Sequence, residues 1–177
     1  GPQGEQGPQG PAGPPGKTRH TVVYYKRNCP GELLNNNFFE LWENNSPAHW
    51  VSNNVTKTTE ALVNDYAVRL GSFPEQEASI HQDIVTIPGC SYELKCSIKL
   101  PDMHSAPPLI EILWLDKQLQ TISTGLILKI SPVPKPHYQH IFAATTKSPD
   151  NAVYARIILR KTGSGMLDVD NVSLIHL

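Results

Sequence analysis

In the stretch CSYELKCSIKL, apolar and polar residues alternate without a break. Tyr92, Leu94, Cys96, Ile98 and Leu100 fall on one parity, and Ser91, Glu93, Lys95, Ser97 and Lys99 on the other. Strict period two turns one set toward a core and the other toward water, which predicts a strand of an antiparallel sheet. The pattern recurs along the chain. YAVRLG sets Ala67 and Arg69 against Tyr66, Val68 and Leu70. ASIHQDIVTIPG alternates Ile80, Gln82, Ile84 and Thr86 with His81, Asp83 and Val85, then stops at Pro88-Gly89. NAVYARIILRK places Val153, Ala155, Ile157 and Leu159 opposite Tyr154, Arg156, Ile158 and Arg160. PPLIEILWLD and LQTISTGLILKI, separated by DKQ, predict a hairpin, and HYQHIFAATT and GMLDVDNVSLIHL predict two further strands. Turn-rich pieces such as NNSPAHW, GSFPEQEA, SPVPKPH and KTGSG punctuate these runs. VTKTTEALVNDYA comes nearest to a helical stripe, but its threonines favour strand or loop. Many short strands at regular spacing predict an all-β chain folded as an antiparallel jelly-roll β-sandwich.

The first residues follow another rule. Glycine stands at Gly1, Gly4, Gly7, Gly10, Gly13 and Gly16, with prolines at Pro2, Pro8, Pro11, Pro14 and Pro15. A G-X-Y run with proline is the pattern of a collagen triple helix, in which only glycine fits the shared axis. The chain therefore divides into a collagen-like stalk end (1–18), a neck or first strand (19–32) and a sandwich domain (33–177). Only Pro15 occupies a Y position, and ordering each residue costs on the order of 1–2 kcal/mol of backbone entropy. So short a stalk needs a head that holds three copies together, which predicts a closed homotrimer. Val22, Val23, Tyr24 and Tyr25 either pack around the threefold axis as a neck or form an edge strand of the sandwich.

The net charge of −1 argues against nucleic acid, which calls for a concentrated basic surface. Lys17, Arg19, Lys26 and Arg27 read as a solvated neck. No run approaches the ~18 apolar residues of a membrane span, so no membrane insertion is expected. The three cysteines are too few for a disulfide scaffold. Cys90 and Cys96 lie roughly 20 Å apart along one strand and cannot bridge each other. Cys96 shares the apolar parity. Free thiols are the expectation, with Cys29 the candidate for an interchain bond or for pairing with Cys90 as the alternative.

Four fragments in order carry a resemblance: LLNNNFFELWENNSPAHW, ASIHQDIVTIPGCSYELKCSIK, TTKSPDNAVYARIILRK and MLDVDNVSLIHL. Together they resemble the carbohydrate-binding-module superfamily of jelly-roll sandwiches, which includes cellulose- and xylan-binding modules, over about residues 33–177. The resemblance implies a buried tryptophan at Trp50, a core role for Phe38 or Phe39, and a last strand that pairs near the first. That pairing brings Glu40 and Asp170 together, and two close carboxylates repel unless something neutralises them. A structural calcium ion is implied there, held by Glu40 and Asp170 with backbone oxygens from the Asn36–Asn37 and Ser72 regions. The alternative is that both carboxylates cap turns or accept backbone N–H groups. Asp168 is expected to be an exposed neighbour.

The resemblance also implies a cleft across one sheet, where exposed rings stack on sugars. The candidates are Tyr154, Arg156, Tyr138, His140 and Trp114; Trp114 shares its parity with Ile110 and Ile112 and fits a core role equally. The Tyr154–Arg156–Ile158 row fits a subunit contact as well. Enzyme readings find little support: the histidines are scattered, no nucleophile elbow or phosphate loop occurs, and Glu40 with Asp170 reads as a cation or turn pair rather than a glycosidase pair. The expectation is a non-catalytic, extracellular, cell-surface or spore-surface protein: a trimeric head on a collagen-like stalk, serving assembly and adhesion to a glycan or host surface. The rivals are a lectin that gains avidity from the trimer and a head of the complement/tumour-necrosis-factor kind.

Overall fold

The computed structural model describes residues 1–4, 7–13 and 31–177. Val22, Val23, Tyr24, Tyr25 and Cys29 lie outside these residues, and the described part of the triplet repeat is exposed.

All the regular structure described is strand. A small hairpin, β1 (Trp42–Glu43) with β2 (Ser46–Pro47), precedes two five-stranded antiparallel sheets. The first sheet has the order β10 (Gln139–Ala144), β7 (Tyr92–Lys99), β12 (Leu167–His176), β5 (Ala67–Leu70) and β4 (Val55–Thr58). The second has β3 (Val51–Asn53), β6 (Ala78–Val85), β11 (Tyr154–Lys161), β8 (Leu109–Leu115) and β9 (Thr121–Lys129). The period-two runs form these strands because an alternating segment can bury one face only by joining a sheet. β8 and β9 form the expected hairpin, and VTKT is the edge strand β4 rather than part of a helix.

The inward parities of the two sheets meet in one core. Leu94, Cys96, Ile98, Val169 and Leu174 from the first sheet face Ile80, Ile110, Ile112, Ile157 and Leu159 from the second. Burial pushes the Cys96 thiol up to about 12, so it behaves as a small apolar side chain. Trp114 is 1% exposed and tilts against Tyr92 at 6.0 Å, which removes it from the surface ligand set and settles its open role as core. Gly125 lies on the adjacent strand, where an added Cβ would sit 2.6 Å from the indole. The second sheet closes only with glycine there.

The segment before β3 resolves the choice between the two phenylalanines. Phe39 is fully buried and packs its ring 5.3 Å from Trp50, whereas Phe38 is partly exposed. Trp50 is a core residue as the resemblance implied, and its indole donates to the Asn36 carbonyl. Leu33 donates to the Leu174 carbonyl and Val172 to that of Asn37, so this segment runs beside β12 as expected.

Within β12 the register with β7 advances three residues on one side and two on the other, from Asp170↔Ser97 to Ser173↔Lys95. One extra residue makes a β-bulge, and Asn171 takes a positive φ of 54° there. Before the bulge the even-numbered Asp168 and Asp170 point outward; after it Ser173 and Ile175 do. Lys161, at the end of β11, is fully buried. Its ammonium donates to the carbonyls of Pro74 (2.5 Å) and Gly163 (2.8 Å), tying two loops together.

Phe39→Ala keeps a β-carbon at the same backbone angle and leaves a cavity against Trp50, so it should cost about 3–5 kcal/mol. Phe38→Ala should cost well under ~1 kcal/mol. Urea unfolding of both variants checks this, and equal losses would refute the assignment.

Candidate functional site

The outer face of the first sheet is built by three parities. On β10, His140 and Phe142 point outward, because Ile141 and Ala143 pair with the core-facing Cys96 and Leu94. Tyr138, two residues before His140, continues the file. Opposite them on β7 stand Lys99, Ser97 and Lys95. The pairs touch: the Lys99 ammonium lies 5.3 Å from the Tyr138 ring centroid, Ser97 Oγ 2.9 Å from His140 Nδ1, and the Lys95 ammonium 5.8 Å from the Phe142 ring. Phe142 is 67% exposed. Cation–π contacts of this length set each ring against its lysine, and the Phe142 ring is left open to solvent.

The middle of the sheet is covered. Residues 59–66, between β4 and β5, cross over the outward side chains of β12 and form a wall beside the β10 file. Two carboxylates hold this loop. Asp170 Oδ2 accepts the N–H groups of Leu62 and Val63, each at 2.9 Å, and Oδ1 accepts that of Asn171. Glu40 accepts from Asp65 and Tyr66. Burial, and secondarily the charge of Glu40, raise the Asp170 carboxyl above the usual carboxylate range. Glu40 and Asp170 thus hold one loop between them, each carboxylate accepting backbone N–H groups. Asn37 is nearby through its bond to Val172.

Ser72 is not part of this cluster. It follows Leu70, which pairs with Leu167, whereas Asp170 lies beyond the Val68↔Val169 pair at the other end of β5. Its hydroxyl donates to Asn54 instead. Asp168 corrects a second expectation. Its parity is outward, but it is fully buried. Arg69 grips it with two bonds of 2.6 and 2.8 Å, and Lys99 lies 3.6 Å away. Arg69 and Lys99 both also reach Glu60, at 2.9 and 3.0 Å. These cations lower the Glu60 carboxyl, Lys99 most, and the Asp168 bond raises the Arg69 guanidinium.

Tyr138 closes one end of the trough. Its hydroxyl donates to the Glu60 carbonyl at 2.7 Å, and burial, with the nearby Asp168 and Asp170, raises its pKa. Beside it lies a cavity of about 510 Å³ lined by Glu60, Lys99, Pro101, Pro134, Lys135 and Pro136. The outer face therefore offers a file of rings along β10 beside the polar side chains of β7, with a proline-lined cavity at the Glu60–Lys99 end. It is suited to a hydroxyl-rich ligand that offers apolar ring faces and hydrogen-bonding edges.

The five sugar candidates do not come together. Tyr138 and His140 lie in this trough, Trp114 is in the core, and Tyr154 and Arg156 are on the outer face of the opposite sheet. Arg156 is held there by Asp83 through bonds of 2.7 and 2.8 Å. Parity missed Phe142, although YQHIF places it two residues beyond His140. It also missed the loop wall, which no periodicity announces. Among the described residues, no group of three or more histidine, cysteine or acidic side chains has metal-binding geometry.

No protein-family model and no curated protein sequence matches this chain. Solved structures do. The enzymatically active domain of tailspike protein 4 of bacteriophage CBA120 superposes with a TM-score of 0.64 at 16% identity over 82% of this chain, which spans 21% of that chain. A family 16 carbohydrate-binding module gives a TM-score of 0.57 at 16% identity, covering 69% of this chain and 85% of the module. The module TmCBM61, solved in complex with beta-1,4-galactotriose, gives 0.52 at 13% identity, covering 82% and 99%. At these identities the likeness shows a shared fold: the β-sandwich of carbohydrate-binding modules.

Proposed function

We propose that this domain binds carbohydrate without acting on it, along the trough between the 59–66 loop and β10. The observation that carries the reading is the outward file Tyr138–His140–Phe142 set against Lys99, Ser97 and Lys95. Open ring faces take the apolar side of a pyranose, and the polar groups beside them take its hydroxyls. The sandwich shared with carbohydrate-binding modules, galactotriose-bound TmCBM61 among them, supports the same ligand class. An extracellular or surface location follows from this ligand and from the collagen-like repeat. Phe142→Ala should weaken binding of galacto- or xylo-oligosaccharides roughly tenfold by isothermal titration, with an unchanged melting midpoint because the ring is exposed. Undiminished affinity would move the site elsewhere.

Display on a trimer is the second part of the proposal, and the G-X-Y repeat motivates it. The face that three copies would share is the outer face of the second sheet. There one cross-strand row runs Val51, His81, Ile158, Glu111, Ile127. Val51 is 61% exposed and Ile127 53% exposed. Tyr154 and Arg156 belong to this face and serve the contact rather than the sugar. Light scattering of the whole chain should give three times the chain mass, and Ile127→Lys should lower it. A single-chain mass for the native protein would end the trimer reading.

Calcium fits the Glu40–Asp170 pair in charge and donor type. Five N–H groups occupy the two carboxylates, and about three of their roughly eight lone-pair positions remain. Backbone carbonyls would complete the shell, and the ion would offset the burial and, secondarily, the Glu40 charge that raise the Asp170 carboxyl. Calcium should raise the melting midpoint of the native chain and leave Asp170→Asn unmoved. A native midpoint indifferent to chelator and calcium would leave the loop held by N–H groups alone.

A further inference from the structure

The β1–β2 hairpin encloses a second cavity, about 480 Å³ in volume, against the edge strand β4. Trp42, Asn44, Asn45, Val55, Thr56 and Lys57 line it. It lies on the far side of the first sheet from the β10 file, with three strands between.

Trp42 supplies the platform. Its ring is half-buried against the core, and its indole N–H donates to the Phe39 carbonyl at 2.6 Å. The ring is therefore fixed, its one donor is used, and it presents an aromatic face. Asn44 and Asn45 form the two-residue turn of the hairpin with φ of 49° and 64°. Two left-handed residues in sequence make the tight hairpin turn that asparagine tolerates. Both amides stand exposed on the rim.

The polar groups here differ from those in the trough. Over the first sheet, Arg69, Lys99, Glu60, Asp168, Ser97 and the Tyr138 hydroxyl are bonded to one another or to backbone. Around Trp42, the amides of Asn44 and Asn45, the Thr56 hydroxyl and the Lys57 ammonium make no hydrogen bond or ion pair among the described residues. Lys57 rests over the Tyr66 ring at 4.4 Å. Among the described residues β4 also has no strand partner on this side, which leaves its outward backbone groups for a ligand. Uncommitted donors and acceptors of both kinds around one fixed ring form a recognition set that no internal bond has to be broken to use.

We infer that the Trp42 cavity is a second saccharide-binding site, taking one or two pyranose units of a neutral glycan. The ring face would lie on the indole and the hydroxyls on Asn44, Asn45 and Thr56. A peptide strand added to β4 would use the same backbone edge but has little need of the two rim amides. The inference rests on the carbohydrate reading above and adds an independent site to it.

Tryptophan emission isolates this site. The chain has three tryptophans, and Trp50 and Trp114 are buried at 5% and 1% exposure, so acrylamide quenching reports on Trp42. The probes are β-1,4-linked galacto- and xylo-oligosaccharides, titrated into the whole chain with calorimetry alongside. Saccharide should protect Trp42 from quenching. Asn45→Gly, which removes the amide and keeps the left-handed turn, and Thr56→Ala, both exposed changes, should each weaken that protection at least fivefold at an unchanged melting midpoint. Phe142→Ala should leave the fluorescence titration intact. Heat of binding that Phe142→Ala abolishes, with Trp42 quenching unaltered throughout, would overturn this site and spare the trough. Absence of both signals would overturn both. Protection of Trp42 by an extended peptide and by no saccharide would overturn the ligand class assigned here.

Discussion

The carboxylates of Asp170 and Glu40 hold down a loop that has no strand partner among the described residues. Five backbone N–H groups, from Leu62, Val63, Asp65, Tyr66 and Asn171, converge on four oxygens. Without those acceptors residues 59–66 would need water for the same donors, and only the contacts of Glu60 would keep them over the sheet. Glu60 is positioned by that anchorage and in turn meets Arg69, Lys99 and, through its carbonyl, Tyr138. The wall and the closed end of the trough both depend on it.

The price is two acidic groups close together. Asp170 is fully buried beside Glu40 and is shifted toward its neutral form. Asp168, equally buried one pleat away, is compensated differently, by a bidentate guanidinium and a lysine. Truncating either partner of such a pair strands the other charge, whereas the exposed Lys95–Glu93 pair contributes little. The first sheet thus carries its electrostatic load in the middle and leaves its β10 edge to aromatic rings.

Period-two patterning made the sandwich legible. β6, β7, β8, β9 and β11 lie where alternation put them, and the inward sets of β6, β7 and β11 are the ones buried. Parity also places His140 on the outer face, and applied two residues further it reaches Phe142. Parity could not say what covers a face. Asp168 points outward and is buried because a distant loop and Arg69 lie over it. Ser72 fails as a neighbour of Asp170 because strand direction carries it to the opposite end of β5. The β1–β2 hairpin went unread because two-residue strands have no period, and Lys161 because a buried ammonium is satisfied by carbonyls that only tertiary structure assembles.

The single extra residue in β12 has a consequence for how this sequence can drift. The strand enters the bulge with aspartates on its outer side and leaves it with the pleat inverted, so that Leu174 reaches the interior opposite Leu94. Deleting Asn171 or inserting a neighbour would exchange the two sides of everything that follows, sending Ser173 and Ile175 inward. The count of residues between Asp170 and Leu174 is as constrained as any side chain in the interior.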